Sequence, residues 1–250
     1  MQGNGFIDAT GFLAKGWRLV RTPGLRRFVV IPLAINILVF AGLGWLLYGW
    51  ITGWLFNWSV FERFGDFWIL GVIQNILQFL IGITLAVALG YMFTLLANLI
   101  GAPFNSLLAE RVEQQMTGKS PSSDPSVLFL LKTLPKTLTS ELSKLLYLAL
   151  WMIPLLLLGF IPIVNVIAPF LLFAFGAWMF ALEYLDYPMG NHGMSFKQIK
   201  TQLKSRRSQA MGFGFTVAVI SIIPLVNLFI MPVAVAGATA LYVERMHKAG

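Results

Sequence analysis

The sequence contains no cysteine and only two histidines among its 250 residues. Without cysteine, disulfides, thiolate metal sites and cysteine nucleophiles are excluded. His192 and His247 are lone histidines with no cluster of histidines, cysteines or carboxylates around them, so we expect no metal site and no cofactor. Neither a serine nucleophile between glycines nor a pair of catalytic carboxylates is recognisable, so the sequence does not predict an enzyme.

Charged residues are also scarce, at 11% of the chain, whereas a soluble domain carries about a quarter. Four stretches lack Asp, Glu, Lys and Arg altogether: Phe28–Phe61, Phe67–Ala109, Leu145–Leu182 and Ser208–Val243. Each exceeds the ~20 residues that cross a bilayer, which predicts an all-α integral membrane protein. The net charge of +8 fits membrane lipid and small anions better than nucleic acid, because no soluble basic domain is present.

The whole chain, residues 1–250, is expected to form a single membrane domain. We predict an amphipathic interfacial leader over 1–22 and two long transmembrane helices over 23–56 and 67–109. The second span is expected to stop at Gly101-Ala102-Pro103. Cytoplasmic amphipathic helices are predicted over 110–144, where leucines recur every three or four residues.

The two apolar runs over 145–182 and 208–243 resemble internal repeats, separated by a basic loop over 183–207. Each contains an asparagine between two prolines, which predicts a helix broken near its middle. The resulting halves reach only roughly 18–26 Å, short of a ~30 Å hydrocarbon core. The candidate helix breaks of the whole chain are Pro103, Pro162, Asn165, Pro224 and Asn227.

The distribution of lysine and arginine favours re-entrant hairpins for these two runs. Only Asn57–Asp66 is poor in positive charge, with one such residue, whereas the other polar segments carry two to five. The positive-inside rule then puts all the other polar segments on one side of the membrane. Two full spans followed by two hairpins that return to the same face satisfy this rule. The alternative is four ordinary kinked spans.

The segment from Thr22 to Arg27 has the composition of an anion pocket. Thr22 is expected to cap a helix that starts at Pro23, which leaves the amides of Gly24, Leu25 and Arg26 unpaired in its first turn. Gly24 allows close approach of a ligand, and Arg26 and Arg27 add two guanidinium groups at the positive end of the helix dipole. The alternative is that both arginines only anchor the helix among lipid headgroups.

A second candidate lies where the long uncharged run ends. Glu110 follows the expected break at Pro103-Phe104-Asn105, with Arg111 beside it. Glu110 either forms a surface ion pair with Arg111 or lines a pathway with its carboxylate, since ionisable residues at membrane depth often mark one. Asn105, Glu110 and Arg111 are therefore the pathway candidates.

Several motifs in order resemble the CysZ-type sulfate permeases of bacterial inner membranes, along nearly the whole chain. They are Lys15-Gly16-Trp17-Arg18-Leu19-Val20, Pro23-Gly24-Leu25-Arg26-Arg27-Phe28, Ala102-Pro103-Phe104-Asn105, Leu107-Leu108-Ala109-Glu110, Asp186-Tyr187-Pro188 with Asn191-His192, and Ile223-Pro224-Leu225-Val226-Asn227-Leu228-Phe229-Ile230-Met231-Pro232.

The resemblance implies sulfate uptake for cysteine biosynthesis by a homo-oligomer. It assigns sulfate binding to Gly24, Leu25, Arg26 and Arg27 and places Asn105 and Glu110 near the pathway, whereas the role of Arg111 stays open. Because no ATP-binding motif is visible, a channel or a secondary transporter is expected. The alternatives are a less selective anion channel and a non-transporting scaffold that binds anionic lipid.

Overall fold

The computed structural model describes residues 5–56, 68–119 and 127–247, and this part of the chain is helical without any strand. The helices are α1 (Gly5–Val20), α2 (Arg27–Phe56), α3 (Trp68–Thr117), α4 (Val127–Leu158), α5 (Ala168–Asn191), α6 (Phe196–Ser205), α7 (Arg207–Ser221) and α8 (Pro224–Leu241), followed by a π-helical turn (Tyr242–Met246). Among these described residues, four segments are long and apolar enough to cross a membrane: Arg27–Trp45, Thr139–Leu158, Val164–Asn191 and Phe229–Met246. The prediction of an all-α, multi-pass membrane protein is confirmed.

The chain divides into two compact units. The smaller one, Val30–Ala102, holds most of α2 and the first part of α3, where the rings of Phe40 and Phe93 lie 5.4 Å apart between centroids. The larger one joins Met1–Val29 to Pro103–Gly250 and contains all the candidate site residues.

The predicted helix break at Pro103 is wrong, because α3 continues through it to Thr117. A proline inside a helix removes one backbone hydrogen bond but can be tolerated as a kink rather than an end. The predicted helices over 110–144 are accordingly the end of α3 and the first half of α4. The sequence-predicted turn at Asn57–Asp66 and most of the Thr117–Pro125 linker lie outside the described residues.

The core of the larger unit forms where α1 packs against α7 and α8. Phe12 and Leu13 of α1 are buried there together with Val233 and Leu241 of α8. A Cβ atom on Gly16 would lie 2.1 Å from the carbonyl oxygen of Val233, so only glycine permits this approach. The leader is therefore packed against protein along its buried face and holds the segment that follows it, Arg21–Arg26, next to the core.

The first broken pair, α4 and α5, is interrupted between Leu158 and Ala168. Pro162 lies in this interruption, and Asn165 lies in a short 3-10 turn over Val164–Val166. Ile163 has a φ of 74°, a left-handed conformation that an isoleucine rarely adopts. The chain therefore reverses through an irregular segment.

The second pair, α7 and α8, has a much shorter interruption at Ile222 and Ile223. Pro224 is the first residue of α8, a position for which proline is preorganised because its missing N–H would be unpaired there anyway. The prediction that Asn227 lies at the break is wrong, since it lies inside α8. The helix restarts at the proline itself rather than after the asparagine.

The expected lengths of the four helix halves need correction. At 1.5 Å per residue, the 24 residues of α5 extend about 36 Å, enough to cross a ~30 Å core. The 15 residues of α7 reach only about 22 Å and the 18 residues of α8 about 27 Å. Since the first pair is long enough for full spans, re-entry of the two hairpins stays a prediction.

The predicted basic loop over 183–207 is helical instead. α5 continues to Asn191, and α6 follows after a short turn. Ser195 and Gln198 form a capping box at the start of α6, where the Ser195 backbone N–H donates to Gln198 Oε1 at 2.7 Å. Ile199 and Leu203 lie one turn apart and are fully buried, which fixes the helix against its neighbours.

Candidate functional site

The segment between α1 and α2 is a turn rather than the start of a helix. α2 begins at Arg27, four residues later than predicted from Pro23. The hydroxyl of Thr22 donates to the Leu19 carbonyl at 2.7 Å and does not cap α2. Gly24 has a φ of 92°, a conformation outside the helical region that glycine adopts without strain, and this delays the helix.

Of the three backbone N–H groups predicted to be unpaired, one forms a hydrogen bond within the turn and two do not. The Leu25 amide donates to the Thr22 carbonyl at 3.2 Å, so it is not unpaired as predicted. The amides of Gly24, Arg26 and Arg27 have no backbone or side-chain acceptor among the described residues. Three N–H groups therefore remain near the N-terminus of α2, where the helix dipole favours negative charge.

A surface pocket of about 270 Å³ lies beside this turn. It brings the turn together with the C-terminal part of α3, although the two are far apart in the sequence. Its lining residues are Pro23, Gly24, Leu25, Arg27, Phe28, Arg111, Gln114 and Gln115. Two of these eight residues are cationic and none is acidic, so the pocket suits an anion.

The two arginines of the predicted motif differ in their surroundings. Arg27 lines the pocket, with its guanidinium carbon 5.0 Å from the centroid of the Phe28 ring. The Nε of Arg26 instead donates to the Arg21 carbonyl at 2.9 Å, and Arg26 is not among the residues that line the pocket. The Arg26 side chain thus stabilises the turn, whereas Arg27 lines the pocket.

Arg111, whose role was open from the sequence, lines the pocket from α3. Its Nη1 donates to Gln114 Oε1 at 2.7 Å, and its Nε is buried without a hydrogen-bond partner among the described residues. A buried donor left unpaired costs about 1–3 kcal/mol, so this guanidinium has donor capacity that an anion would satisfy. In the part of the chain that the structure describes, neither Arg27 nor Arg111 forms an ion pair.

The other two pathway candidates, Asn105 and Glu110, do not line this pocket. Both are buried, at 5% exposure each, in the same helix as Arg111. The Nδ2 of Asn105 lies 3.5 Å from the hydroxyl of Tyr187 in α5. One residue further on, Ser106 donates to Asn191 Oδ1 at 2.6 Å, so α3 and α5 are joined by polar side chains.

A second polar contact with α3 is made by His192, the residue directly after α5, which has no other metal-ligating residue beside it in the sequence. His192 Nε2 lies 2.8 Å from Glu113 Oε1, and the second carboxylate oxygen of Glu113 is buried without a partner in the described residues. The rings of Tyr242 and His247 lie within 5.3 Å of the His192 ring, between centroids. No set of three or more metal-ligating side chains occurs in the described part of the chain.

A cluster that sequence reading missed surrounds Lys144 of α4. Its ammonium lies 2.6 Å from Glu141, 2.9 Å from Glu183 and 3.0 Å from Asp186, and its side chain is only 6% exposed. Only the spacing of Glu141 and Lys144, three residues apart, was a signal in the sequence. Glu183 and Asp186 come from α5, so this cluster joins the two helices of the first pair.

Comparison with protein families gives one finding that covers most of the chain. Residues 12–232 match the family described as "Sulfate transporter CysZ/Etoposide-induced protein 2.4". The match includes the turn after α1, the C-terminal part of α3, the first broken helix pair, and the second pair as far as Pro232 in α8. A helical membrane protein with two arginine side chains in a pocket whose lining contains no acid agrees with a family whose description names a sulfate transporter. The chain therefore belongs to the Sulfate transporter CysZ/Etoposide-induced protein 2.4 family.

Proposed function

We propose that this protein carries sulfate across the bacterial inner membrane and so supplies sulfate for cysteine biosynthesis. The observation that supports the proposal most directly is the pocket lined by Arg27 and Arg111, neither of which pairs with a carboxylate among the described residues. Two guanidinium groups carry a charge of +2, which balances the charge of one sulfate. Because arginine presents a planar fork of donors, each can form two parallel hydrogen bonds to an oxyanion.

The turn around Gly24 is proposed to complete this site from the backbone. Gly24 has no side chain to keep a ligand away, and the N–H groups of Gly24, Arg26 and Arg27 remain available near the start of α2. Helix N-termini bind sulfate and phosphate through such amides. Four residues were assigned by resemblance, and we give Gly24 and Arg27 direct roles. The side chains of Leu25 and Arg26 receive structural roles, since the first is buried and the second donates to the Arg21 carbonyl.

Transport also requires that sulfate leave the site. A pocket open to the surface holds the anion through donors that water can replace, which allows both binding and release. We propose channel-like conduction or secondary uptake rather than ATP-driven pumping. Asn105 and Glu110, buried in α3, remain candidates for the pathway beyond the pocket.

A homo-oligomer within the membrane is part of the proposal. Large apolar side chains of α4 and α5 are exposed along both helices, among them Leu150, Trp151 and Leu157 of α4 and Phe170 of α5. Such surfaces are covered by lipid tails or by another membrane helix. The exposed faces of this helix pair are therefore the surfaces on which we expect a second copy to pack.

A non-transporting scaffold that binds anionic lipid is the second candidate, and α6 is the observation that favours it. Lys197 and Lys204 of this helix are exposed, and Lys200 lies 4.9 Å from the ring centroid of Tyr147. Cations beside aromatic rings are typical of surfaces at lipid headgroups. A less selective anion channel is the third candidate, and it differs from the proposal only in which anions pass.

Sulfate flux separates these functions. Purified protein is reconstituted into liposomes, and uptake of radiolabelled sulfate is followed down a sulfate gradient with and without excess chloride or phosphate. The proposal predicts protein-dependent uptake that unlabelled sulfate suppresses more strongly than chloride or phosphate does. Equal suppression by all three anions would identify the less selective channel. No uptake above empty liposomes would contradict transport and leave the scaffold.

A further inference from the structure

Gln114 has its orientation fixed by Arg111. An arginine side chain offers donors only, so the Nη1 contact at 2.7 Å must be to the carbonyl oxygen of the amide. The carbonyl oxygen of Gln114 is therefore turned toward Arg111, and the NH₂ group at the other side of the amide is left to donate. This makes Gln114 a donor toward any ligand in the pocket that both residues line.

The remaining side chains of the pocket add little accepting capacity. Arg27 and Arg111 are cationic and donate only, and none of the lining residues is a carboxylate. The Gln115 carbonyl oxygen is an exposed neutral acceptor, 3.4 Å from the hydroxyl of Thr22. Neutral acceptors form weaker hydrogen bonds than carboxylates, roughly by half.

Sulfate and phosphate differ in what they require from such a pocket. Sulfate at pH 7 has four oxygens that only accept hydrogen bonds, whereas both phosphate species at this pH carry at least one P–OH group that must donate. A pocket without an anionic acceptor pairs that hydroxyl less well than a carboxylate would, whereas it satisfies every oxygen of sulfate, and this difference favours sulfate.

From this geometry we propose that the pocket selects fully ionised tetrahedral oxyanions over those that carry a hydroxyl group because the Arg111–Gln114 pair presents donors and no anionic acceptor to the ligand. The inference rests on the proposed sulfate-binding function and names the residues that set its substrate class. Arg111 supplies charge, and it holds Gln114 with the amide donor toward the ligand. Gln114 thereby excludes an acceptor from this wall of the pocket.

Replacing Gln114 by Glu puts a carboxylate in place of the amide and tests the inference. Binding of radiolabelled sulfate to the purified protein is measured at pH 7, and unlabelled sulfate and phosphate compete for the site. In the unsubstituted protein we expect phosphate to compete at least tenfold less effectively than sulfate. Gln114→Glu should weaken sulfate binding at least tenfold and phosphate binding much less, because the carboxylate accepts from P–OH. The ratio of the two affinities should therefore move toward phosphate by about tenfold.

Gln114→Met is the matched control, since it removes the amide without adding an acceptor. It should weaken both anions alike and leave their ratio within about twofold of its original value. A ratio that moves equally in Gln114→Glu and Gln114→Met would overturn the inference, and so would equal competition by both anions in the unsubstituted protein, a result that does not depend on any variant folding. Absence of sulfate binding in the unsubstituted protein would instead contradict the proposed sulfate site itself.

Discussion

Two regions of the larger unit hold cationic side chains in opposite states. Lys144 is buried against three carboxylates, Glu141, Glu183 and Asp186, all within 3.0 Å of its ammonium. Arg27 and Arg111 line a pocket that contains no carboxylate, and Arg111 Nε has no hydrogen-bond partner among the described residues. The first region satisfies its charge with the protein's own acids, whereas the second does not.

The difference separates a structural role from a ligand-binding one. A buried cation that is fully paired joins helices, as Lys144 joins α4 to α5, and has no capacity left for a ligand. A cation that lacks a protein partner raises the free energy of the ligand-free site, and an anion that supplies the missing acceptors lowers it. Stability should therefore depend on Lys144 and sulfate affinity on Arg27 and Arg111.

The largest expected effect on stability is that of Lys144→Met. Removing the cation leaves three carboxylates in mutual contact, and breaking a buried ion pair costs about 3–5 kcal/mol. The cost should lie near the lower end, because Glu141 and Glu183 are partly exposed. For a chain of this size we expect the thermal midpoint in detergent to fall by about 6–12 °C.

The control for Lys144→Met is the same substitution combined with Glu183→Gln, which removes one of the uncompensated charges. This double variant should recover part of the lost thermal stability. In both variants, the protein that remains folded at low temperature should bind sulfate as the unsubstituted protein does. A large loss of sulfate affinity without a loss of stability would contradict the structural role assigned to Lys144.

Arg111→Met is expected to have a smaller effect on stability, and in the opposite direction. Methionine keeps an unbranched apolar stem but removes the buried Nε–H that lacks an acceptor. The thermal midpoint should therefore stay the same or rise by a few degrees. Sulfate affinity should fall about tenfold or more, because a hydrogen bond to a charged group contributes about 1.5–3 kcal/mol.

The readout for Arg111→Met is a melting curve recorded beside a sulfate-binding isotherm on the same preparation. A fall in the thermal midpoint comparable to that of Lys144→Met would show that Arg111 is structural. The contrast between the two cationic regions would then be lost, whatever happened to the binding of sulfate.

The two broken helix pairs show which parts of the fold the sequence could and could not predict. Ile161-Pro162-Ile163-Val164-Asn165 and Ile223-Pro224-Leu225-Val226-Asn227 have nearly the same pattern. The first forms an irregular reversal with Ile163 at a positive φ, and the second starts a helix at its proline. Proline predicts an interruption in both cases, but its length depends on packing elsewhere, which the local pattern does not encode.

The predicted helix boundaries were wrong for a similar reason. α5 continues past the apolar run through Glu183 and Asp186, because Lys144 of another helix balances these acids. From the sequence alone, the same charges indicated the end of a membrane segment. Distant partners therefore decided where the helix ended.

The candidate site was predictable only in its local half. Gly24 and Arg27 stand within four residues of each other, and the composition of this short segment is enough to indicate an anion pocket. Arg111 and Gln114 reach the same pocket from another helix, and no periodicity or spacing relates them to the turn. Arg26 was indistinguishable from Arg27 in the sequence, since the bond from its Nε to the Arg21 carbonyl appears only in the fold.

This last pair provides the most direct test of the central claim, that sulfate is held by the arginines of the pocket rather than by basic charge in general. The measurement is the sulfate dissociation constant of Arg27→Ala and of Arg26→Ala by isothermal titration calorimetry in the same detergent. Both variants lose one positive charge from adjacent positions. We predict that Arg27→Ala weakens sulfate binding roughly 10- to 100-fold and that Arg26→Ala weakens it less than about threefold. Equal losses in the two variants, or unchanged affinity in Arg27→Ala with the fold intact, would contradict the account.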